Sequence, residues 1–379
     1  MTREVTGAAL APFVEGAADL AVGDHGGIIP NRLPAWARAQ HDDPWFAVMA
    51  RTPAGVALRM ATSASRLGLL LHTRSMRRRS EPPRPSLLVV VADGTVRDRV
   101  ALPLGDVTVL DDSGAPVDRE IREPASIEIA VPPESEVVEL LLPHDCQVEL
   151  IALDGDSDLT PAPADPRPRW IHYGSSISHG IEAPSYDGTW PGAAALNLGW
   201  KLRNLAFGGS AQLDPFIARM IADAPADVIS LKVGITLVNA DSMRARTMRP
   251  ALHGFLDQIR QGHPDTPIVL ITAINCPVHE SSPGPTVDRG DGRAHAAQRM
   301  VEKDDGALTL ESTRGIIRSV HAQRNDPHLL LLEGTELFGP ADAGHLPDGL
   351  HPSPTGLAMI AQRFIAAVHR MGLAERSAL

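Results

Sequence analysis

The chain holds only two cysteines, Cys146 and Cys276, in 379 residues, and neither sits in a spacing that reads as a metal site. Two cysteines cannot build a disulfide framework, so a small stapled secreted scaffold is excluded and a reducing, cytoplasmic setting is expected. Positive charge is also scarce, with 35 Lys and Arg against 46 Asp and Glu and a net charge of -11. That balance argues against a polyanionic partner, and no nucleic acid is expected. No run of about 18 apolar residues occurs. The opening MTREVTGAALAPFVEGAADL lacks a positively charged stretch followed by a continuous apolar one, so neither membrane association nor export is expected. The one basic run, RSMRRRS at Arg74 to Ser80, reads as a solvated loop.

What remains is the composition of a globular protein, 43% apolar and 21% charged. At about 150 residues per domain the length favours two domains. From about Leu58 to Gly155 the apolar residues come in short runs bounded by turn formers: LGLLLHT, SLLVVVADG, SIEIAVPP, EVVELLLPHD and QVELIALDG. These read as β-strands. Ile127, Ile129 and Val131 alternate with Glu128 and Ala130, which places one face on a core, and Asp93-Gly94 suits a hairpin turn. Residues 1–160 are therefore expected to form a β-sandwich of jelly-roll type. Pro161, Pro163, Pro166 and Pro168 then stiffen the backbone and withhold amide donors, so 161–169 reads as an interdomain linker.

Beyond it the period changes. Strand candidates at Trp170 to Tyr173, Leu202 to Phe207, Val228 to Val233, Ile268 to Ile274 and Leu329 to Leu332 alternate with helical segments. This alternation predicts an α/β domain over 170–379, a parallel sheet with helices on both faces. Pro191 after Thr189 marks one helix start, and SPTGLAMIAQRFIAAVHRMG has an amphipathic spacing at Leu357, Ile360, Ala361, Phe364, Ile365 and Val368. The segment 275–306 is too rich in Gly, Pro and charge for a routine connection. It reads as a mobile loop near the site or as a disordered excursion.

Acyl transfer through serine needs an alcohol activated by imidazole, a carboxylate holding that imidazole, and donors for the oxyanion. GSSISHG places Ser175 and Ser176 at the carboxyl end of the first strand, where active groups of such sheets gather. PDGLHPSPTG sets Asp348 three residues before His351, close enough for the carboxylate to lie beside the imidazole within one turn of chain. Gly208-Gly209 follows the second strand. Position 178 is serine, so there is no Gly-x-Ser-x-Gly elbow and the α/β-hydrolase form is disfavoured. Each piece alone has a bland reading, an ordinary turn or a helix-start pair; their order on an alternating pattern gives them weight.

In that order the motifs resemble those of the GDSL, or SGNH, hydrolase family. GSSISHG is similar to its first block, with Ser176 in the nucleophile position and Ser175 where an aspartate is usual. NLAFGGSAQLDP resembles the second block and implies that the Gly209 amide joins the oxyanion hole. DGLH matches the last block and implies Asp348 and His351 as the other triad members. The resemblance implies a flavodoxin-like sheet. The third block departs, since KVGITLVN offers Gly234 and then Thr236 where the family's Gly-x-Asn supplies a side-chain amide. Thr236 is the expected third donor, beside the amides of Ser176 and Gly209, with Asn239 as its rival. A threonine hydroxyl donates one hydrogen bond on a shorter arm.

The β-rich half, proline-rich linker and YGSSISHG domain together resemble two-domain acyltransferases of this family. That likeness implies an acyl-CoA co-substrate, an aryl group such as salicylyl, no bound cofactor, and a glycosylated polyketide as acceptor. The β-sandwich then resembles a carbohydrate-binding module. A carbohydrate or small-ester esterase is the alternative, and a catalytically weak carbohydrate-binding protein a further one. A metal site at His172, His179, His345 and Asp348 finds no compact ligand spacing. Asp187 reads as a turn or cap residue, and Trp190 and Trp200 as core.

Overall fold

The computed structural model describes residues 2–111, 114–132, 135–299 and 306–374. It divides into two compact units, Met1–Asp165 with Pro184–Asp187, and Pro166–Ala183 with Gly188–Leu379. The four residues 184–187 thus cluster with the β-rich unit, although they lie within the α/β stretch of sequence. No helix among the described residues is long and apolar enough to cross a membrane.

In the first unit one hydrogen-bonded sheet runs through thirteen strands. Its longest strands, Arg66–Arg78 and Gln147–Pro161, pair antiparallel, with Glu149 opposite His72 and Leu153 opposite Leu69. A register shift between Leu150 and Ala152 breaks the ladder. Further along, Leu159 to Pro161 pair instead with the strand Ala57–Thr62. Every second residue faces the core: Leu67, Leu69 and Leu71 bury with Ile127 and Ile129, opposite them in register, and with Leu58, Met60, Val138 and Leu140. Each such side chain contributes about 1.5–3 kcal/mol by leaving water. Asp93 and Gly94, both at positive φ, connect Leu87–Ala92 to Thr95–Ala101 as the two-residue turn expected of them.

RSMRRRS is not a loop. Arg74 to Arg78 continue the strand and pair in parallel with Asp106–Leu110. Arg74 reaches Asp24 at 2.6 Å and Arg77 reaches Glu120 at 2.6 Å, so the run is stabilised by carboxylates from distant segments.

The second unit is built on five parallel strands: β1 (Arg169–Gly174), β2 (Lys201–Ala206), β3 (Val228–Lys232), β4 (Ile268–Ile271) and β5 (Leu329–Leu332). Their spatial order is β2-β1-β3-β4-β5, the flavodoxin-like order. The pleat of β1 shows how both faces are covered. Trp170 and His172 meet Trp190 of helix Trp190–Leu198, and Trp170 also stacks on Phe364 of helix Pro354–Arg370. Tyr173, on the opposite face, packs on Phe255 of helix Ala245–Gly262. Trp190 and Trp200 are buried, as core residues should be. Strand β4 stops short of the apolar run's end, because the guanidinium of Arg314 takes the carbonyls of Ala273 and Ile274 that a neighbouring strand would otherwise use.

Candidate active site

Gly174 ends β1, and the chain turns at once into the single helical turn Ser176–His179. The turn is tight enough to need glycine: a Cβ at Gly174 would stand 2.5 Å from Ser178 Oγ and 2.9 Å from His172 Nε2. Ser176 is the first residue of that turn, and Ser175 just before it is buried, its hydroxyl without a hydrogen-bond partner. The carbonyl of Ser175 accepts the amides of Ser178 and His179, which fixes the turn.

His351 arrives from the far side of the sheet. Strand β5 lies at the edge, four places from β2, but helix Pro354–Arg370 packs back over β1 through Phe364 and so carries the preceding loop across. His351 Nε2 lies 2.9 Å from Ser176 Oγ, and its Nδ1 lies 2.6 Å from Asp348 Oδ2. A carboxylate only accepts, so Nδ1 carries the ring proton and Nε2 offers its lone pair to the serine hydroxyl. The short Asp-to-His spacing serves two purposes. Asp348 Oδ1 accepts the amides of Leu350 at 2.8 Å and His351 at 2.7 Å, locking the loop while Oδ2 holds the ring. Burial alone would raise the Asp348 pKa. The hydrogen bond from the His351 ring, that ring's charge and the two amides outweigh it and bring the group to about 2.

Gly349, between them, has φ +83, and an added Cβ would meet Val278 Cγ2 only at an ordinary 3.6 Å. Gly349→Ala therefore tests backbone strain rather than a clash. It is expected to cost about 1–2 kcal/mol of stability in urea unfolding.

The oxyanion candidates come from three adjacent strands. Ser176 follows β1, Gly209 follows β2 and Thr236 follows β3, so all three share the carboxyl edge around the central strand. Gly209 is exposed at φ +72, and its amide bonds no group among the described residues. Thr236 is 4% exposed, in the turn Ile235–Asn239. The Oδ1 of the rival Asn239 accepts from Thr286 Oγ1, which lies 2.7 Å from His279 Nε2, whereas its NH₂ is the group that would donate to an oxyanion.

The segment 275–299 lies against this loop, while 300–305 fall outside the described residues. Cys276 Sγ donates to the carbonyl of Gly349 and the amide of Ala294 to that of Asp348, at 2.7 Å. Glu280 accepts two bonds from Arg314, which ties the loop's start to helix Leu310–Arg324. Sequence pattern alone missed these contacts, though the segment's length and composition pointed toward the site.

The four-residue metal grouping is not brought together. His172 Nδ1 is 2.7 Å from Ser230 Oγ and His179 Nδ1 is 3.2 Å from the Ala206 carbonyl. Burial and the nearby charge of Lys232 hold the His172 imidazole toward its neutral form. Lys232 itself, unremarked in the sequence, is buried at the end of β3, its Nζ without a partner and pushed by burial to about 7. Asp187 lies in a one-turn helix, Tyr186–Gly188, and accepts from Ser185 Oγ and from the guanidinium of Arg99.

Comparison with solved structures places this architecture among known proteins. The salicylyl-acyltransferase SsfX3 from a tetracycline biosynthetic pathway is 27% identical, with a TM-score of 0.79 over 98% of each chain. A family two carbohydrate esterase from Cellvibrio japonicus is 14% identical, with a TM-score of 0.59 over 99% of this chain and 100% of that one. One from Clostridium thermocellum, in complex with cellohexaose, is 13% identical, with a TM-score of 0.54 over 84% of this chain and 92% of that one. No curated protein matches the sequence significantly. The model of the GDSL-like lipase/acylhydrolase family matches residues 168–369, more than half of the sequence, and the chain belongs to that family.

Proposed function

We propose that the protein is a serine acyltransferase that moves an aryl, salicylyl-like acyl group from a CoA thioester to a hydroxyl of a glycosylated polyketide. The observation that carries acyl transfer is the hydrogen-bonded chain from Ser176 through His351 to Asp348. What favours transfer over hydrolysis is the greater likeness to SsfX3, 27% identical with a TM-score of 0.79, against 14% and 0.59 for the esterase from Cellvibrio japonicus.

In this reading His351 Nε2 takes the proton from Ser176 Oγ as the oxygen attacks the thioester carbonyl. The amides of Ser176 and Gly209 and the hydroxyl of Thr236 hold the oxyanion. The carbon–sulfur bond breaks, His351 returns the proton to the CoA thiolate, and Ser176 keeps the acyl group as an ester. The acceptor hydroxyl then gives its proton to His351, attacks that ester and carries the acyl group away, and the proton returns to Ser176. Asp348 stays ionised throughout, orienting the ring and stabilising its cationic form. We read the β-rich unit as a jelly-roll sandwich of carbohydrate-binding type that serves acceptor recognition, and the setting as a reducing cytoplasm, in keeping with the two free buried cysteines.

Thr236→Val keeps the side-chain shape and removes the hydroxyl. Loss of one oxyanion donor predicts a fall of about 10²-fold in kcat with little change in KM. Unchanged kcat would remove Thr236 from the hole.

Carbohydrate ester hydrolysis is the second reading, favoured by the family two carbohydrate esterases that share the fold across most of the chain. Measuring salicylyl-CoA consumption with and without a glycosylated polyketide separates the two. Transfer predicts acylated acceptor as the main product, whereas free acid at equal rates in both samples, with turnover of acetylated sugars, favours the esterase.

A further inference from the structure

In the β-rich unit, the sequence GDHGG at Gly23 to Gly27 folds around the carboxylate of Glu149. The amides of His25 and Gly27 donate to Glu149 Oε1 at 2.8 and 3.0 Å, and His25 Nδ1 lies 3.0 Å from Oε2. The glycines are required by this embrace, since a Cβ at Gly23 would stand 2.1 Å from Glu149 Cδ. Directly opposite Glu149 in the sheet is His72, whose ring centroid lies 4.5 Å from that of His25. One donor atom from each of His25, His72 and Glu149 lies within 4.8 Å of the others.

His72 carries the second observation. It is 2% exposed, and its Nε2 lies 3.1 Å from the carbonyl of Arg122 and 3.3 Å from Asp106 Oδ1. Both are acceptors, so in the neutral ring Nε2 holds the proton and Nδ1 presents a bare lone pair. That Nδ1 is buried and has no hydrogen-bond partner. An imidazole oriented through one nitrogen by a carboxylate, with the other free, is the arrangement that metal-ligating histidines use. Arg74 borders the same cleft, but Asp24 at 2.6 Å and Asp106 at 4.0 Å offset its charge.

We propose that His25, His72 and Glu149 bind one zinc-type divalent ion, which clamps the Gly23–Gly27 turn to the two longest strands of this unit. Two imidazoles and one carboxylate suit zinc and its transition-metal neighbours, and are too poor in oxygen for calcium or magnesium. Water fills the fourth position. Coordination through His25 Nδ1 moves the proton it now donates to Glu149 onto Nε2, so that the ring binds as a neutral imidazole. The role is structural: the ion joins segments far apart in sequence and adds stability by mass action.

The test is calorimetric titration of chelator-treated full-length protein with Zn²⁺, with melting followed in parallel. One ion per chain and a rise in Tm are expected. His25→Ala leaves the backbone bonds to Glu149 in place, and its side chain is 28% exposed, so it should fold. It and His72→Ala should weaken binding more than about 100-fold, and Asp106→Asn, with all three ligands kept, by about 10–100-fold. His351→Ala should bind as the wild type does. No saturable binding, full binding by His25→Ala and His72→Ala, or loss of binding in His351→Ala would each overturn the proposal.

Discussion

On the proposed mechanism, Ser176→Ala is expected to leave the fold intact and to lower acyl transfer by about 10⁴-fold or more. The substitution removes one oxygen from a half-buried position at the start of a helical turn, where alanine is well accommodated, so Tm should stay within a few degrees. What is lost is the atom on which the proposed mechanism forms the acyl-enzyme. The remaining site still binds substrate and holds oxyanion donors, which leaves a residual rate above that in water. A fluorophosphonate probe should label the wild type and not the variant. Labelling of Ser176→Ala at the wild-type rate would move the nucleophile to another residue.

Asp348→Asn is expected to cost nearly as much, for a different reason. Asparagine can keep its carbonyl on the amides of Leu350 and His351, so the loop survives. Its NH₂ then faces His351 Nδ1 as a donor, and the ring must carry its proton on Nε2. That tautomer cannot accept from Ser176, and kcat should fall by about 10⁴-fold. Stability should change with pH in a diagnostic way. The carboxyl is held at about 2, below its ordinary 3.8, so its contribution is complete above 3.8 and is lost as pH falls through about 2. Urea midpoints of wild type and variant should therefore differ by a constant amount above about pH 4 and converge toward pH 2. A gap that widens on acidification would contradict the assignment.

The hydrogen-bonded chain from Ser176 through His351 to Asp348 was legible because each part sits in a local motif. The serine follows an apolar strand, and one carboxylate both caps its own loop and holds the imidazole three residues on. The five strands were legible for a similar reason, as apolar runs that alternate with helical segments. The errors occurred where long-range partners decide the outcome. RSMRRRS reads as a loop until Asp24 and Glu120 are seen to pair with its arginines, and β4 is overextended because Arg314 lies far away in sequence. His72 and Glu149 meet only through strand register, which periodicity does not reveal. Spacing alone does not separate Asn239 from Thr236, because both lie in the single turn Ile235–Asn239 that follows β3.

The proposed mechanism passes through an acyl-enzyme on Ser176. Intact-protein mass spectrometry after brief exposure to salicylyl-CoA tests it most directly. The wild-type chain should gain one acyl group, peptide mapping should put it on Ser176, and a glycosylated polyketide should discharge it. An adduct of equal yield in Ser176→Ala, or turnover of the thioester with the label on another side chain, would contradict it.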